Sequence, residues 1–510
     1  MSVTMQDVMK QSGVAFGTSG ARGLVTAMTD RVCYVYARSF IKYCEQSYKC
    51  EHTIAIAGDL RPSTERILKA LVKAGEDSAW KVVYCGRIPS PAIALYGIDK
   101  ALPTIMVTGS HIPADRNGIK FNHPQGEISK KDEQGIVSQS VEFDESIFDA
   151  AGMLKDAPAL PAVEMEAEEN YLKRYPEFFG TKALSGLTIG VYQHSAVGRD
   201  IVVKVLESLG ATVKPFARSE TFIPVDTEAI RKEDEELARD FAHKDFVDAI
   251  FSTDGDSDRP LLADDAGMWL RGDVLGILAA QALHIKRIAT PVSCNTSLEK
   301  CGSFEKICRT RIGSPYVIAG MESLVEPADA SVSVAGYEAN GGFLLQTNLT
   351  RKFEDGTRTL PALPTRDALL PMIAVMARMR EERMCVVDLL RKLPKRFTVS
   401  DRLKEFPTEI SKAKLAEIRE QKLGHKLFGT LAAKPSKFAP KDSAPKPFHG
   451  EVVAIDETDG YRMEFDSGDI VHLRPSGNAP EFRCYVETES KERSAELLEG
   501  CLKIMEGWRK

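Results

Sequence analysis

The chain has 510 residues, 43% hydrophobic and 27% charged, with 73 acidic against 67 basic side chains for a net charge of −6. At roughly 150 residues per domain this predicts about three to four domains with sizeable cores, and it excludes disordered, collagen-like and small disulfide-scaffold classes. The acidic balance argues against general nucleic-acid binding, which needs a basic surface, but leaves room for a local basic pocket for a small anion.

The N-terminal residues, with Asp7 and Lys10 among mixed polar neighbours, carry no basic stretch leading into an apolar one, so no secretory signal is expected. In chain order, residues 53–57, 81–84, 104–107, 187–192 and 249–251 read as buried strands, and 63–78, 198–209 and 227–243 as helices between them. This alternation predicts α/β units with largely buried sheets. Residues 155–169, rich in Ala, Pro and Glu, read as a linker, and 274–285 as a core helix, too interrupted to span a membrane. Strand 330–335 precedes a glycine-bounded loop. Residues 434–447, with four lysines and four prolines, read as an exposed loop within the last domain. At the C-terminus, strands 470–473 and 482–487 flank a turn before an amphipathic helix at 492–504. The ten cysteines are scattered without C-x-x-C spacing; Cys294, Cys301 and Cys308 recur every seven residues, yet reduced thiols in a cytoplasmic protein are the expectation.

Four stretches carry chemistry. TGSHIPADRNGIK (108–120) follows a buried strand, at the kind of strand edge where α/β folds place reactive groups. Gly109 offers close approach to Ser110, and Asn117 and Lys120 supply a polar donor and a proton carrier or phosphate contact. As chain neighbours, Ser110 and His111 are expected to point apart. In DGDSDR (254–259), Asp254, Asp256 and Asp258 alternate along an extended loop, a hard oxygen donor set suited to Mg²⁺. A calcium EF-hand is excluded because Arg259 stands where that loop needs glycine and a strand precedes it. RPSGNAPEFR (474–483) brings Arg474 and Arg483, suited to bidentate phosphate contact, around Ser476, Gly477 and Asn478. GYEANGG (336–342) presents Glu338 and Asn340, an acceptor and donor set suited to a polyol. Singly, each of these also reads as an ordinary turn.

Together with FGTSGARG (16–23), the four stretches match in order the motifs of the α-D-phosphohexomutases, and the chain resembles that family over nearly its whole length. The resemblance implies four domains around a central cleft, three of mixed α/β type and a smaller C-terminal α+β domain, with boundaries 1–160, 161–268, 269–382 and 383–510. It implies that Ser110 carries the transferred phosphoryl group and that Asp254, Asp256 and Asp258, with an oxygen of phosphorylated Ser110, hold one Mg²⁺. Lys120 would be the general base, with His111, Arg22 and Arg259 beside the transferring group. Glu338 and Asn340 would meet sugar hydroxyls, and Arg474, Ser476, Gly477, Asn478 and Arg483 the phosphate that is not reacting. A hexose 1,6-bisphosphate would be intermediate and activator, and the partners small hexose phosphates, without nucleic acid or membrane, for a monomer or weak dimer. Ile112, Asn340, Gly342 and Asn478 depart from the residues often found at their places, which bears on sugar preference. The motif variants resemble bacterial mannose-phosphate enzymes more than glucosamine ones; a glucose-phosphate mutase, a phosphatase and a non-catalytic sugar-phosphate binder are the alternatives.

Overall fold

A computed structural model describes residues 2–17, 20–329, 331–432, 450–476 and 480–509. Gly477, Asn478 and the whole 434–447 loop lie outside the described residues. The chain divides into two compact units, one of residues 1–289 with 313–390 and the other of 290–312 with 391–510.

The first unit holds three sheets of one design. In the first, Thr53–Gly58 runs parallel to Lys81–Tyr84 and to Thr104–Val107, after which Arg116–His123 and Ala21–Leu24 add antiparallel strands. In the second, Thr188–His194 lies parallel to Thr212–Arg218 and Ala249–Thr253, and Pro260–Ala263 turns back antiparallel. In the third, Arg287–Pro291 is parallel to Val334–Tyr337, followed by antiparallel Phe343–Leu345 and Leu363–Asp367. All four residues of Thr104–Val107 and all five of Ala249–Thr253 are buried, as two-sided packing demands of parallel strands.

The second unit contains an antiparallel sheet in the order Phe397–Leu403, Phe482–Thr488, Ile470–Pro475, Tyr461–Phe465, Val452–Asp456. Helix Lys491–Glu506 packs on it through Leu497, Cys501 and Met505.

This arrangement redefines the four motif loops. Residues 108–115, 254–259 and 338–342 each join two antiparallel neighbours, so each is a hairpin connection, and the strands Ile470–Pro475 and Phe482–Thr488 on either side of the fourth motif are antiparallel neighbours too. A parallel-sheet reading expects a helix after 107 and after 253; in both places the chain instead turns straight back.

Several elements begin elsewhere than their composition implied. The helix read at 227–243 is Lys232–Asp245, because the preceding turn is committed elsewhere: Thr227 Oγ1 donates to the Asn340 carbonyl at 2.9 Å. The linker read at 155–169 ends early in helix Glu166–Phe179, whose first turn carries Glu166, Glu168 and Glu169 against the positive helix end. The strand read at 330–335 is Val334–Tyr337, and the core helix read at 274–285 is Gly272–Ala282. All ten cysteines are free thiols. No helix among the described residues is long and apolar enough to cross a membrane.

Candidate active site

Ser110 sits at φ +55°, in the left-handed region that a non-glycine residue enters at a cost of roughly 1–2 kcal/mol. The conformation is held from both sides: the Ser110 amide donates to Thr108 Oγ1 at 2.8 Å, and the Ser110 hydroxyl to Asp254 Oδ2 at 2.5 Å. The twist also corrects the expectation that Ser110 and His111 diverge, since it brings Ser110 Oγ within 3.3 Å of His111 Nδ1. They are still no nucleophile–base pair. His111 Nδ1 accepts from Arg259 Nη1 at 2.9 Å, and burial, then the charges of Arg259 and Arg22, hold the imidazole far below its ordinary pKa, so it stays neutral.

The loop is anchored by a residue with no place in the motifs. Arg61 Nη1 donates to the carbonyls of Pro113 and Arg116, and Nη2 to those of Ser110 and Ile112, at 2.5–3.0 Å. Its Nε pairs with fully buried Asp59, and its guanidinium lies 4.1 Å from the centroid of the Phe222 ring. Gly109 therefore makes room for Arg61 rather than for a ligand, since a Cβ there would stand 2.7 Å from Arg61 Cζ. Asn117, expected to face a ligand, is committed to structure: Nδ2 donates to Ser63 Oγ and Thr64 Oγ1, and Oδ1 accepts the Gly118 amide.

The hairpin 254–259 gathers its three carboxylates as alternate spacing predicts. One ligand atom from each of Asp254, Asp256 and Asp258 lies within 4.8 Å of the others, the one such group of metal-capable side chains among the described residues. Asp256 Oδ2 accepts from Ser90 Oγ and Lys120 Nζ, both at 2.5 Å; Asp258 Oδ2 accepts from Lys120 Nζ at 2.6 Å and Arg366 Nε at 3.1 Å. The other oxygen of each, Oδ1, is buried without a hydrogen-bond donor, although Asp258 Oδ1 lies 3.7 Å from Arg259 Nε. Two orphaned carboxylate oxygens beside a third aspartate are costly unless a cation meets them. The donor set is all oxygen and fits a hard divalent ion.

Electrostatics lead the same way. Burial first, then Asp256 and Asp258, raise the pKa of Asp254 well above the ordinary range, a repulsion that a cation relieves. Burial opposes ionisation of Asp258, but Lys120, Arg366 and Arg259 hold its pKa below the ordinary value. Burial likewise opposes the charge on Lys120, and Asp256 and Asp258 outweigh it, so Lys120 is an ammonium. Arg22 is pushed down to about 10 by burial and by Arg259, and it remains charged. Arg22, Arg259, Arg366 and Lys120 thus gather around Asp254, Asp256, Asp258 and Glu338.

Glu338 is buried, with Oε2 3.0 Å from Arg366 Nη1. Asn340 Oδ1 accepts the Gly342 amide at 2.9 Å, closing its loop. In the second unit, Arg474 and Arg483 are direct cross-strand partners, and Arg402 stands opposite Arg483 on the next strand. Like charges in this register repel. Carboxylates offset them: Arg474 pairs with Asp459 at 2.9 Å, and Arg483 and Arg402 with Glu481 at 3.1 and 3.4 Å. Ser476 is buried, its amide bonded to the Glu481 carbonyl.

Sequence reasoning missed Arg61, Arg366, Ser90 and Arg402. The usable signal was slight: Arg61 follows Asp59 by two places at the end of a buried strand, and Arg366 precedes Asp367 in a strand otherwise without charge.

Three family models describing phosphoglucomutase/phosphomannomutase α/β/α domains I, II and III match residues 13–146, 169–267 and 271–397. A phosphomannomutase of Salmonella muenchen is 41% identical over 97% of this chain and 96% of its own length, and one of Sinorhizobium fredii is 40% identical over 97% and 99%. Among solved structures, a putative phosphomannomutase of Thermus thermophilus superposes with a TM-score of 0.70 at 19% identity, covering 97% of this chain and 99% of that one. A phosphoglucomutase/phosphomannomutase family protein of Burkholderia thailandensis gives 0.70 at 17%, covering 96% and 97%. With the motifs, the hairpins that carry them and these matches in agreement, the chain belongs to the phosphoglucomutase/phosphomannomutase family.

Proposed function

We propose that the chain is a phosphohexomutase that interconverts mannose 6-phosphate and mannose 1-phosphate through a phosphorylated Ser110. The observation that carries this reading is the contact between Ser110 Oγ and Asp254 Oδ2 at the edge of a buried cluster with two carboxylate oxygens that receive no hydrogen bond. The contact supports a nucleophilic hydroxyl beside a cation site, as phosphoryl transfer requires. The preference for mannose rests on the two phosphomannomutases at 41% and 40% identity.

In the first half-reaction, the bond from phosphorus to Ser110 Oγ breaks as a bond forms to the free sugar hydroxyl, whose proton leaves to a base. The resulting hexose 1,6-bisphosphate turns and returns its other phosphoryl group to Ser110. One solved neighbour of the fold, an N-acetylphosphoglucosamine mutase of Aspergillus fumigatus with one serine replaced by alanine, was crystallised with glucose 1,6-bisphosphate. Asp254, Asp256 and Asp258 would hold Mg²⁺, which supplies charge neutralisation to the transferring group. Arg22 and Arg259 add fixed positive charge, and Arg61 keeps the nucleophile loop in its strained geometry. Lys120 would act as the base only after its ammonium has given a proton to solvent, a loss that engagement of Asp256 and Asp258 with a cation would favour. Glu338 accepts sugar hydroxyls, and Arg474, Arg483 and Ser476 grip the distal phosphate.

Turnover of mannose, glucose and glucosamine 1-phosphates compared side by side tests the reading. The highest kcat/KM is expected for mannose; a clear preference for glucosamine or net phosphate release would refute it.

A further inference from the structure

Arg366 divides one guanidinium between two loops. Its Nε lies 3.1 Å from Asp258 Oδ2 in the hairpin 254–259, and its Nη1 3.0 Å from Glu338 Oε2 in the hairpin 338–342. All three side chains are buried. Burial opposes the charge on Arg366, but Asp258 and Glu338 outweigh it and keep it firmly protonated.

Strand pairing explains the position. Leu363–Asp367 runs antiparallel to Phe343–Leu345 with Asp367 opposite Phe343, so Arg366 leaves its strand beside Gly342, the last residue of the Glu338 loop. A Cβ at Gly342 would stand 2.4 Å from Arg366 Cδ, 2.6 Å from Cγ and 3.1 Å from Cβ. Those atoms belong to the stem, which has little freedom when both ends of the fork are committed. Gly342 does not adopt the left-handed backbone that would itself demand glycine. Space for Arg366 is the requirement that remains.

The bridge also decides which oxygen of Asp258 faces the cation site. Arg366 and Lys120 both engage Oδ2, and Oδ1 receives no hydrogen bond, lying 3.7 Å from the charged Arg259 Nε. A buried ion pair is weak grounds for stability alone, because desolvation offsets most of its attraction. A guanidinium whose planar fork joins two functional loops sets their geometry.

We propose that Arg366 is a positioning residue that ties the sugar-facing carboxylate of Glu338 to the metal-facing carboxylate of Asp258, and that residue 342 is glycine to admit it. The proposal deepens the phosphohexomutase reading and rests on it. One group then governs two measurable properties, the affinity for Mg²⁺ and the KM for hexose phosphate, and a disturbance confined to Arg366 must move both.

The full-length chain is compared with Gly342→Ala, Arg366→Lys, Arg366→Ala and the double variant Gly342→Ala/Arg366→Ala. Mg²⁺ alone is titrated calorimetrically into each, and KM and kcat are measured with mannose 6-phosphate. Gly342→Ala alters no charge, yet it is expected to weaken Mg²⁺ binding, raise KM and lower kcat/KM by about 100-fold, the scale of a misplaced catalytic geometry. Arg366→Lys keeps the charge without the fork and is expected to lose both properties as well. The double variant should be no worse than Arg366→Ala, because the clash disappears with the side chain. Wild-type Mg²⁺ affinity and KM in Gly342→Ala would overturn the proposal, as would losses that multiply in the double variant. If Arg366→Ala does not fold, Gly342→Ala and Arg366→Lys still decide. A wild-type chain that turns over no hexose phosphate defeats the mutase reading instead, and the Mg²⁺ titrations then still read the Arg366–Asp258 contact.

Discussion

The hairpin 254–259 and the paired strands that carry Arg474 and Arg483 both set arginine beside carboxylate, and they do so in different surroundings. Around 254–259, Lys120, Arg259 and Arg366 lie almost wholly out of solvent, and Asp256 and Asp258 each commit one oxygen while exposing the other to the cluster. At the base of 476–481, Arg474, Arg483 and Arg402 form a row across three strands, with side chains 17%, 34% and 43% exposed, held by Asp459 and Glu481. The difference agrees with what the proposed function would ask of each. Charge that stabilises a transition state acts best when fixed in a dry site beforehand, because it then has no reorganisation to undergo during reaction. Arginines that bind and release a phosphate in either sugar orientation need partners they can leave, and half-exposed ion pairs are weak enough for that.

The largest expected effect comes from removing the nucleophile of the buried region. Ser110→Ala should lower kcat by at least roughly 10³-fold, since a residue that carries the covalent intermediate has no substitute. Binding of mannose 6-phosphate should persist, measured by calorimetry.

Breaking the exposed region should look different. Arg474→Ala is expected to lower kcat/KM by roughly 30- to several-thousand-fold, the cost of truncating one partner of the buried charge pair that Arg474 would make with a bound phosphate. The loss should be similar for mannose 1-phosphate and mannose 6-phosphate, because the same arginine serves both orientations. Phosphorylation of Ser110 should survive. Kinetics in both directions check this; a loss confined to one substrate contradicts a shared phosphate grip.

Arg61→Lys sharpens the contrast within the buried region. The charge stays, but a lysine cannot reach four loop carbonyls and Asp59 at once, so kcat should fall by about 100-fold while Mg²⁺ affinity is retained. Equal losses in both would mean that the nucleophile loop and the metal loop are not separately positioned.

The smallest effect tests a feature that the regions share. His194 donates from Nε2 to the Thr253 carbonyl just before the metal hairpin, and His472 donates to the carbonyl of Asp459, the partner of Arg474. Burial pushes each imidazole down to about 4. The unfolded chain takes up these protons near pH 6.5 and the folded chain only near pH 4. Stability is therefore full above pH 6.5 and falls as pH drops from 6.5 to 4, by on the order of 3 kcal/mol for each histidine. Melting temperatures at pH 7 and pH 4.5 should differ less in His194→Gln and in His472→Gln than in the parent chain. An unchanged difference in both variants contradicts the assignment.

The candidate residues stood out in the sequence because they are unusual for their places. Three aspartates alternate after an apolar strand, a serine and histidine stand between Gly109 and Pro113, and Arg474 and Arg483 flank a turn. The architecture around them was less legible. Buried strands 104–107 and 249–251 look alike whether a helix or a hairpin follows, and the antiparallel return was invisible until the partner strands were placed. The expected divergence of Ser110 and His111 failed because neighbours in extended backbone do point apart, and Ser110 is left-handed instead. Arg61 and Arg366 escaped notice since their partners are backbone carbonyls about fifty residues away, or carboxylates on other loops. Isolated arginines carry no local pattern.

The most direct test of the central claim is to follow one phosphoryl group through Ser110. The full-length chain is incubated with mannose 1,6-bisphosphate and Mg²⁺, freed of excess ligand, and analysed by intact mass and peptide mapping, before and after a chase with mannose 6-phosphate. A single phosphate on Ser110 that departs during the chase, with formation of the bisphosphate, is the expected result. Phosphate on any other residue, or full mutase turnover by a chain that never carries one, would contradict it.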